Sequence, residues 1–323
     1  MRIGVNPEKG RVTENHQYQH RVVVVCYIPN TTEDYYKESA VVLKKCLESL
    51  VATINPETTC ITFLNNASIP EVDAMAKEML ANKALDKYVV YAENKGKVYA
   101  VVDEVRGVFE PYVTITDCDV LFMNHWEKAV FDVFANNSKA GVVSPLPLPN
   151  AAKYYNEHLF VRNFLFGKLK YGKFVNDKDL ELFAKSIGNV NAFDRKNKKH
   201  SWREKQYIIK DTNAVVGAGH FVATYKAYIF RNQVEFPKLK FKNGYEEKFF
   251  DVLPSYYGLY RLSTLNTFVY HMGNTITQDE LSFKCKVLDN NVDITKYKLR
   301  KVNEFNVVFY SFVFKILNRI YKF

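Results

Sequence analysis

Thr114-Ile115-Thr116-Asp117-Cys118-Asp119-Val120-Leu121-Phe122 carries two acids, one residue apart, on the end of a run of β-formers that begins at Pro111-Tyr112-Val113. Residues of this type favour a pleated, packed strand, so the run predicts a buried strand with Asp117 and Asp119 at its tip. A carboxylate withdrawn from water is costly unless a cation or a set of hydrogen bonds compensates it. A hard divalent ion does so with oxygen ligands and keeps positions free for phosphate oxygens. The plainer alternative is an acid that caps a helix starting near Asn124, with its neighbour solvated. Three residues do not separate the two readings.

Toward the N-terminus, Arg21-Val22-Val23-Val24-Val25-Cys26-Tyr27 is a continuous apolar, β-branched run, as expected of a strand covered on both faces. A helix is predicted from Glu33 to Thr53, with Val41, Val42, Leu43, Leu47 and Leu50 on its apolar side. A second strand follows at Thr59-Cys60-Ile61-Thr62-Phe63-Leu64 and ends at Asn65-Asn66-Ala67-Ser68. Ser68 as N-cap and Pro70 in the first turn start the next helix. Tyr88-Val89-Val90-Tyr91 is a third strand, and Asn94 opens a helix over 95–108. The acidic strand is the fourth, and Gly141-Val142-Val143-Ser144 the fifth.

Such alternation with short links predicts an α/β fold, with a parallel, doubly wound sheet and right-handed crossovers. Ligands of these sheets bind beyond the carboxyl ends of the strands. Tyr27, Asn65, Glu93 to Lys97 and Asp117 to Asp119 should therefore converge on one rim, as a nucleotide pocket with polar edges and a metal.

Beyond Ser144 the alternation breaks. Residues 151–210 hold 14 lysines and arginines against 6 acids, a local excess of eight within a chain excess of ten. The segment is expected to be an inserted helical lobe, and its run Arg195-Lys196-Asn197-Lys198-Lys199 a solvated face. Ala214-Val215-Val216-Gly217-Ala218-Gly219 follows, whose glycines permit either a turn or close backbone approach to a ligand. Asn243-Gly244-Tyr245-Glu246-Glu247 opens a helix buried through Phe249, Phe250 and Leu253, and Thr267-Phe268-Val269-Tyr270-His271 is a strand ending on a histidine.

Composition narrows the class. At 323 residues and 47% hydrophobic, the chain can bury a large core. Five cysteines without a CxxC pair suit reduced thiols in a cytosolic compartment. The first twenty residues lack the apolar core of a signal peptide. No stretch reaches the roughly 18 apolar residues of a membrane span. The basic excess suits anionic partners in general, but no zinc-finger, RRM or similar signature accompanies it, so nucleic acid is not the expected partner.

The ordered set of Asn65-Asn66-Ala67-Ser68, Glu93-Asn94-Lys95-Gly96-Lys97, Asp117-Cys118-Asp119, Gly217-Ala218-Gly219, Tyr245-Glu246-Glu247 and Tyr270-His271 resembles a GT-A-fold glycosyltransferase of the family 2 type, from about Arg21 to Asn274. The chain departs from that pattern in Cys26-Tyr27-Ile28-Pro29-Asn30, in Asn65 where the family usually has Asp, and in Glu246-Glu247 where it usually has Glu-Asp.

The resemblance implies transfer of a sugar, with inversion, from a nucleoside diphosphate sugar, a UDP-sugar first, to an acceptor hydroxyl. Asp119 and His271 would hold Mn²⁺ or Mg²⁺, with Asp117 a further metal or ribose contact. Glu247 would be the general base, with Glu246 its rival. Tyr27, Asn65, Lys97, Asp117, Gly217 and Gly219 would bind the nucleotide sugar. Residues 1–20 would then be an arm, 21–274 the catalytic domain with 151–210 as its acceptor lobe, and 275–323 a helical tail. Two alternatives stay open, a nucleotidyltransferase acting on sugar phosphates and a non-catalytic nucleic-acid-binding protein. The former would need a basic glycine loop, which Ile28-Pro29-Asn30-Thr31-Thr32 is not.

The tail, Phe305 to Phe323, places Lys315, Arg319 and Lys322 on one face of a helix among aromatic and aliphatic residues. It is expected either to lie in an anionic membrane interface or to pack on the catalytic domain. In the first case the acceptor would be a lipid-linked or cell-surface glycan precursor, met at the inner face of a membrane by a peripherally attached enzyme.

Overall fold

The computed structural model describes residues 3–7, 9–10, 17–194, 201–210, 212, 214–231, 235–285 and 307–323. The basic run from Arg195 to Lys199 lies outside the described residues, as do parts of the N-terminal arm and of the tail.

The first half alternates as its hydrophobic pattern requires. β1 (His20–Cys26), α1 (Ser39–Thr53), β2 (Thr59–Asn65), α2 (Pro70–Ala81), β3 (Lys87–Val90), α3 (Lys97–Val105) and β4 (Tyr112–Asp117) follow one another. Val22 and Val24 enter one apolar cluster with Leu43 and Leu47 of α1, while Val23 and Val25 enter another with Val98 and Val101 of α3. The sheet is thus covered on both faces, which is why β1 has no polar alternation.

The starts of α1, α2 and α3 differ from expectation, α3 beginning at Lys97 after Gly96 rather than at Lys95. α1 begins at Ser39 because the Asn30 carboxamide oxygen accepts from the Thr32 and Glu33 backbone N–H groups and folds residues 30–33 into a turn. Ser68 does not cap α2, since its hydroxyl accepts from the Ile28 N–H at 3.0 Å and so ties β1 to the β2 loop.

The second half is more mixed. β5 (Val120–Phe122), α4 (Trp126–Asn136) and β6 (Ala140–Ser144) lead into the basic segment, which forms α5 (Glu157–Leu165), β7 (Leu169–Gly172), α6 (Asp177–Ser186) and β8 (Gln206–Ile209). This segment therefore contributes two strands as well as helices. Then come β9 (Ala214–Val216), β10 (Val222–Lys226), α7 (Tyr228–Arg231), a π-helical turn over Glu247–Asp251, α8 (Leu253–Tyr256), β11 (Tyr260–Thr264), β12 (Val269–His271), α9 (Gln278–Ser282) and α10 (Val307–Tyr321).

One sheet runs in the order β3-β2-β1-β4-β10-β6-β11-β9-β8-β7. It is parallel from β3 to β4, but β10 enters antiparallel between β4 and β6, and the far edge from β11 to β7 is antiparallel. β5 and β12 form a separate antiparallel pair that sets His271 opposite Val120.

At the end of the sheet away from Asp117, His20 Nδ1 lies 2.8 Å from Glu127 Oε1 and its Nε2 2.7 Å from the Thr114 hydroxyl. Glu127 Oε2 accepts from the Asn55 N–H at 3.1 Å. This buried network joins β1, β4 and α4. α10 packs on α5, with the Phe314 and Phe323 rings 5.4 and 5.5 Å from that of Phe160.

Candidate active site

The carboxyl ends of the parallel strands form one rim. Tyr27 follows β1, Lys97 opens α3 and Asp117 closes β4, and all three line a cavity of about 510 Å³ together with Asp119 and Glu246. Tyr35 and Tyr36 stand at the same rim, the Tyr36 ring 6.4 Å from that of Tyr27. The approach to α3 is built by side-chain amides. Asn66 accepts from the Lys95 N–H at 2.8 Å and donates to Asn94, whose oxygen in turn accepts from the Gly96 N–H. Gly96 has φ +84°, and a Cβ there would collide with the Lys240 carbonyl.

Asn65 does not reach this cavity. It is buried, donates to the Tyr88 hydroxyl at 2.9 Å and accepts from the Ser68 N–H at 2.8 Å, so its amide is committed to the fold, and its neighbour Asn66 faces the cleft instead.

Six charges alternate across the site. Lys97 Nζ lies 2.5 Å from both Asp117 Oδ1 and Glu246 Oε1. Glu246 Oε2 is 3.3 Å from His220 Nε2, and His220 Nδ1 is 2.9 Å from Asp251 Oδ2. Asp251 Oδ1 is 2.9 Å from an Arg261 nitrogen, and Arg261 also donates to the Ala218 and Tyr154 carbonyls. With His220 protonated, the chain Asp117, Lys97, Glu246, His220, Asp251, Arg261 is neutral.

The titration of its members reflects that order. Burial would raise the Glu246 carboxyl, but the His220 hydrogen bond and the Lys97 charge outweigh it and hold the group at about 2. Burial would lower His220, but the hydrogen bonds and charges of Asp251 and Glu246 raise it to about 9. Burial likewise opposes the Lys97 charge, and Asp117 and Glu246 reverse that effect and raise it.

Asp119 stands apart. Burial, then the charge of Asp117, raises its carboxyl to about 6, against the lowering effect of His271 and Lys97. Its Oδ2 lies 3.5 Å from His271 Nε2. Its Oδ1, like the other His271 nitrogen, is buried without a hydrogen-bond partner among the described residues. The Phe221 ring meets the His271 ring edge-on at 5.3 Å and fixes its plane. Asp119 lines the cleft, and its unpartnered carboxylate oxygen beside the His271 Nε2 fits a divalent ion that would keep further positions open. Asp117 is drawn instead to Lys97, and among the described residues no three His, Cys, Asp or Glu side chains form a metal cage.

Glu247 opens onto a second cavity, of about 350 Å³, beside the first. Its Oε2 accepts from the Tyr155 hydroxyl at 3.1 Å. Gly219, Tyr154, Phe183 and Phe221 line the same space. Gly219 thus sits at the cleft, but Gly217 does not. At φ +122° its Cα faces the Leu148 carbonyl, so the close approach it permits is to the chain itself rather than to a ligand.

His220, Asp251, Arg261, Tyr155 and the Tyr35-Tyr36 pair are site residues that sequence reading missed. A signal existed for Asp251, five residues after Glu246. A π-helical turn puts i and i+5 on one side, but its presence is not readable from residue types.

A family model described as Glycosyl transferase family 2 matches residues 34–231, more than half of the chain. Glu246, Glu247 and His271 lie beyond that match. No curated protein matches the chain. Among solved structures, S. aureus TarS 1–349 in complex with UDP-GlcNAc is 10% identical over 94% of this chain and 73% of that one, with a TM-score of 0.48. Another structure of S. aureus TarS 1–349 is 12% identical over 78% and 60%, at 0.45. The mannosyltransferase PcManGT from Pyrobaculum calidifontis, in complex with GDP-Man and Mn²⁺, is 14% identical over 77% and 55%, at 0.43. The chain thus spans 60% and 55% of the last two.

Proposed function

Since the chain belongs to glycosyl transferase family 2, we propose that it transfers a sugar from a nucleoside diphosphate sugar to an acceptor hydroxyl with inversion. The observation that carries this reading is which acids the ion chain leaves over. Asp117 and Glu246 are neutralised by Lys97 and His220, whereas Asp119, beside His271, is left over in the first cleft and Glu247, beside Tyr155, in the second. Transfer needs these two, a carboxylate for an ion on the diphosphate and a carboxylate for the acceptor's proton.

In the first cleft, the Tyr27, Tyr35 and Tyr36 rings offer a stacking edge to a base, and the N-terminus of α3 beside Lys97 faces the phosphates. Asp119 and His271 would hold Mn²⁺ or Mg²⁺, which when bound supplies Lewis-acid charge to the leaving diphosphate. In the second cleft, Glu247 takes the proton of the acceptor hydroxyl as its oxygen bonds to the anomeric carbon. The bond from that carbon to the diphosphate oxygen breaks on the opposite face. Glu246, held at about 2 and bridged by two cations, is a poor base. Gly219 leaves the second cleft open where a Cβ would meet the Leu148 side chain.

The acceptor we place here is a glycan or lipid-linked glycan precursor in cell-surface polysaccharide, lipopolysaccharide or glycolipid synthesis, met at the cytosolic face of a membrane by peripheral contact. Among the described residues no helix is long and apolar enough to cross one. The test is a panel of UDP- and GDP-sugars with Mn²⁺, UDP-sugars first, beside sugar phosphates with nucleoside triphosphates. Release of the nucleoside diphosphate supports transfer. Pyrophosphate release from a sugar phosphate and a nucleoside triphosphate, or no turnover of any donor, overturns it.

A further inference from the structure

α10 is apolar on two opposite sides. Its inward side sets Phe314 into the core and brings Val313 and Leu317 against it. Its outward side repeats at four-residue spacing, Val308, Phe312, Ile316 and Ile320, which on a helix is one continuous stripe. These side chains are 79%, 63%, 44% and 63% exposed. A stripe of this size left in water costs hydrophobic free energy that a soluble helix would avoid with polar residues.

The neighbouring end of α5 extends the patch. Phe164 packs on Tyr321 with ring centroids 4.6 Å apart, and Leu165 and Phe166 beside it are both exposed. Lys315 and Arg319 border the stripe along one edge, Lys322 follows the helix end with φ +50° rather than continuing that face, and no acid occurs from Val307 to Phe323. Two copies meeting on this face would bring like charges together, which disfavours self-pairing. An anionic lipid surface compensates the cations with its headgroups and takes up the apolar stripe between its acyl chains.

We infer that the outward face of α10, with the adjoining end of α5, is a docking surface for an anionic membrane. The inference deepens the peripheral-membrane reading above and rests on it for its purpose, but lipid binding is measured without sugar transfer, so either can fail alone. Because the inward face belongs to the core, removing the helix would perturb folding. The informative changes are therefore on the outward face.

The full-length chain is sedimented with phosphatidylcholine vesicles, with and without phosphatidylglycerol. Wild type should pellet with the anionic vesicles and be released by high salt. F312S/I316S should bind on the order of tenfold less with an unchanged melting curve and unchanged donor hydrolysis. K315E/R319E should lose the preference for anionic vesicles. Wild type that stays in the supernatant with both vesicles, or F312S/I316S that pellets like wild type, overturns the inference. So does a wild-type dimer by light scattering that F312S/I316S dissociates, since the face would then be an interface between copies.

Discussion

His220 stands between two carboxylates, Nε2 3.3 Å from Glu246 and Nδ1 2.9 Å from Asp251, so both ring nitrogens donate and the ring is held as an imidazolium. It thereby connects Glu246, one of the acids lining the donor cleft, through Asp251 to the buried Arg261, and it keeps Glu246 charged. The site is an alternating row of charges in which a single loss leaves a neighbour uncompensated.

That arrangement sets a pH dependence of stability. His220 has its pKa raised from 6.5 to about 9 in the folded chain, so its contribution is fully present below 6.5 and is lost as pH rises through 9. Glu246 is lowered from 4.5 to about 2, so its contribution is present above 4.5 and is lost as pH falls through 2. Thermal melts across pH 6 to 10 should show wild type losing stability relative to His220→Gln between about 6.5 and 9. Parallel curves would mean that the ring is not charged.

Glu247→Gln should retain donor binding and lose roughly 10²–10⁴-fold in the rate of transfer. The amide keeps the contact with Tyr155 but takes no proton. Glu246→Gln should weaken donor binding and lower the melting temperature, since it leaves Lys97 and His220 with less compensation. Transfer lost in Glu246→Gln and kept in Glu247→Gln would move the base by one residue.

Asp119→Ala should abolish Mn²⁺-dependent turnover and lower Mn²⁺ affinity, measured by calorimetry with the nucleoside diphosphate present, by at least about 10–100-fold. Asp117→Ala should weaken donor binding more than metal binding, because Asp117 holds Lys97. Wild-type metal-dependent turnover in Asp119→Ala would overturn the metal assignment.

Far from the cleft, Glu127→Ala should destabilise the fold by about 1–3 kcal/mol, read by urea unfolding. The substitution leaves the Asn55 N–H and His20 without their buried acceptor. A loss under 1 kcal/mol, a value typical of exposed pairs, would mean that water replaces the carboxylate.

Much of the framework was legible in the residues because it is local. The valine run of β1, the turn residues after β2 and the acids at the tip of β4 each announce their own conformation through side-chain shape and hydrogen bonding over a few positions. The parallel half of the sheet, its rim and the meeting of Tyr27, Lys97, Asp117 and Asp119 follow from that alternation. What depended on long-range pairing was not legible. Nothing near Thr224 says that β10 slips antiparallel between β4 and β6, nor that β12 pairs β5, and the meeting of His271 with Asp119 follows from the family resemblance rather than from any local pattern. Asn65 and Gly217 looked like ligand contacts from their types, yet their neighbours in space, Tyr88 and Leu148, claim them. His220 acquires its role from Glu246 and Asp251, which a π-helical turn of the distant segment 247–251 brings to its two nitrogens. Secondary structure is encoded in neighbours along the chain, whereas the charge row of this site is encoded in which strands lie side by side.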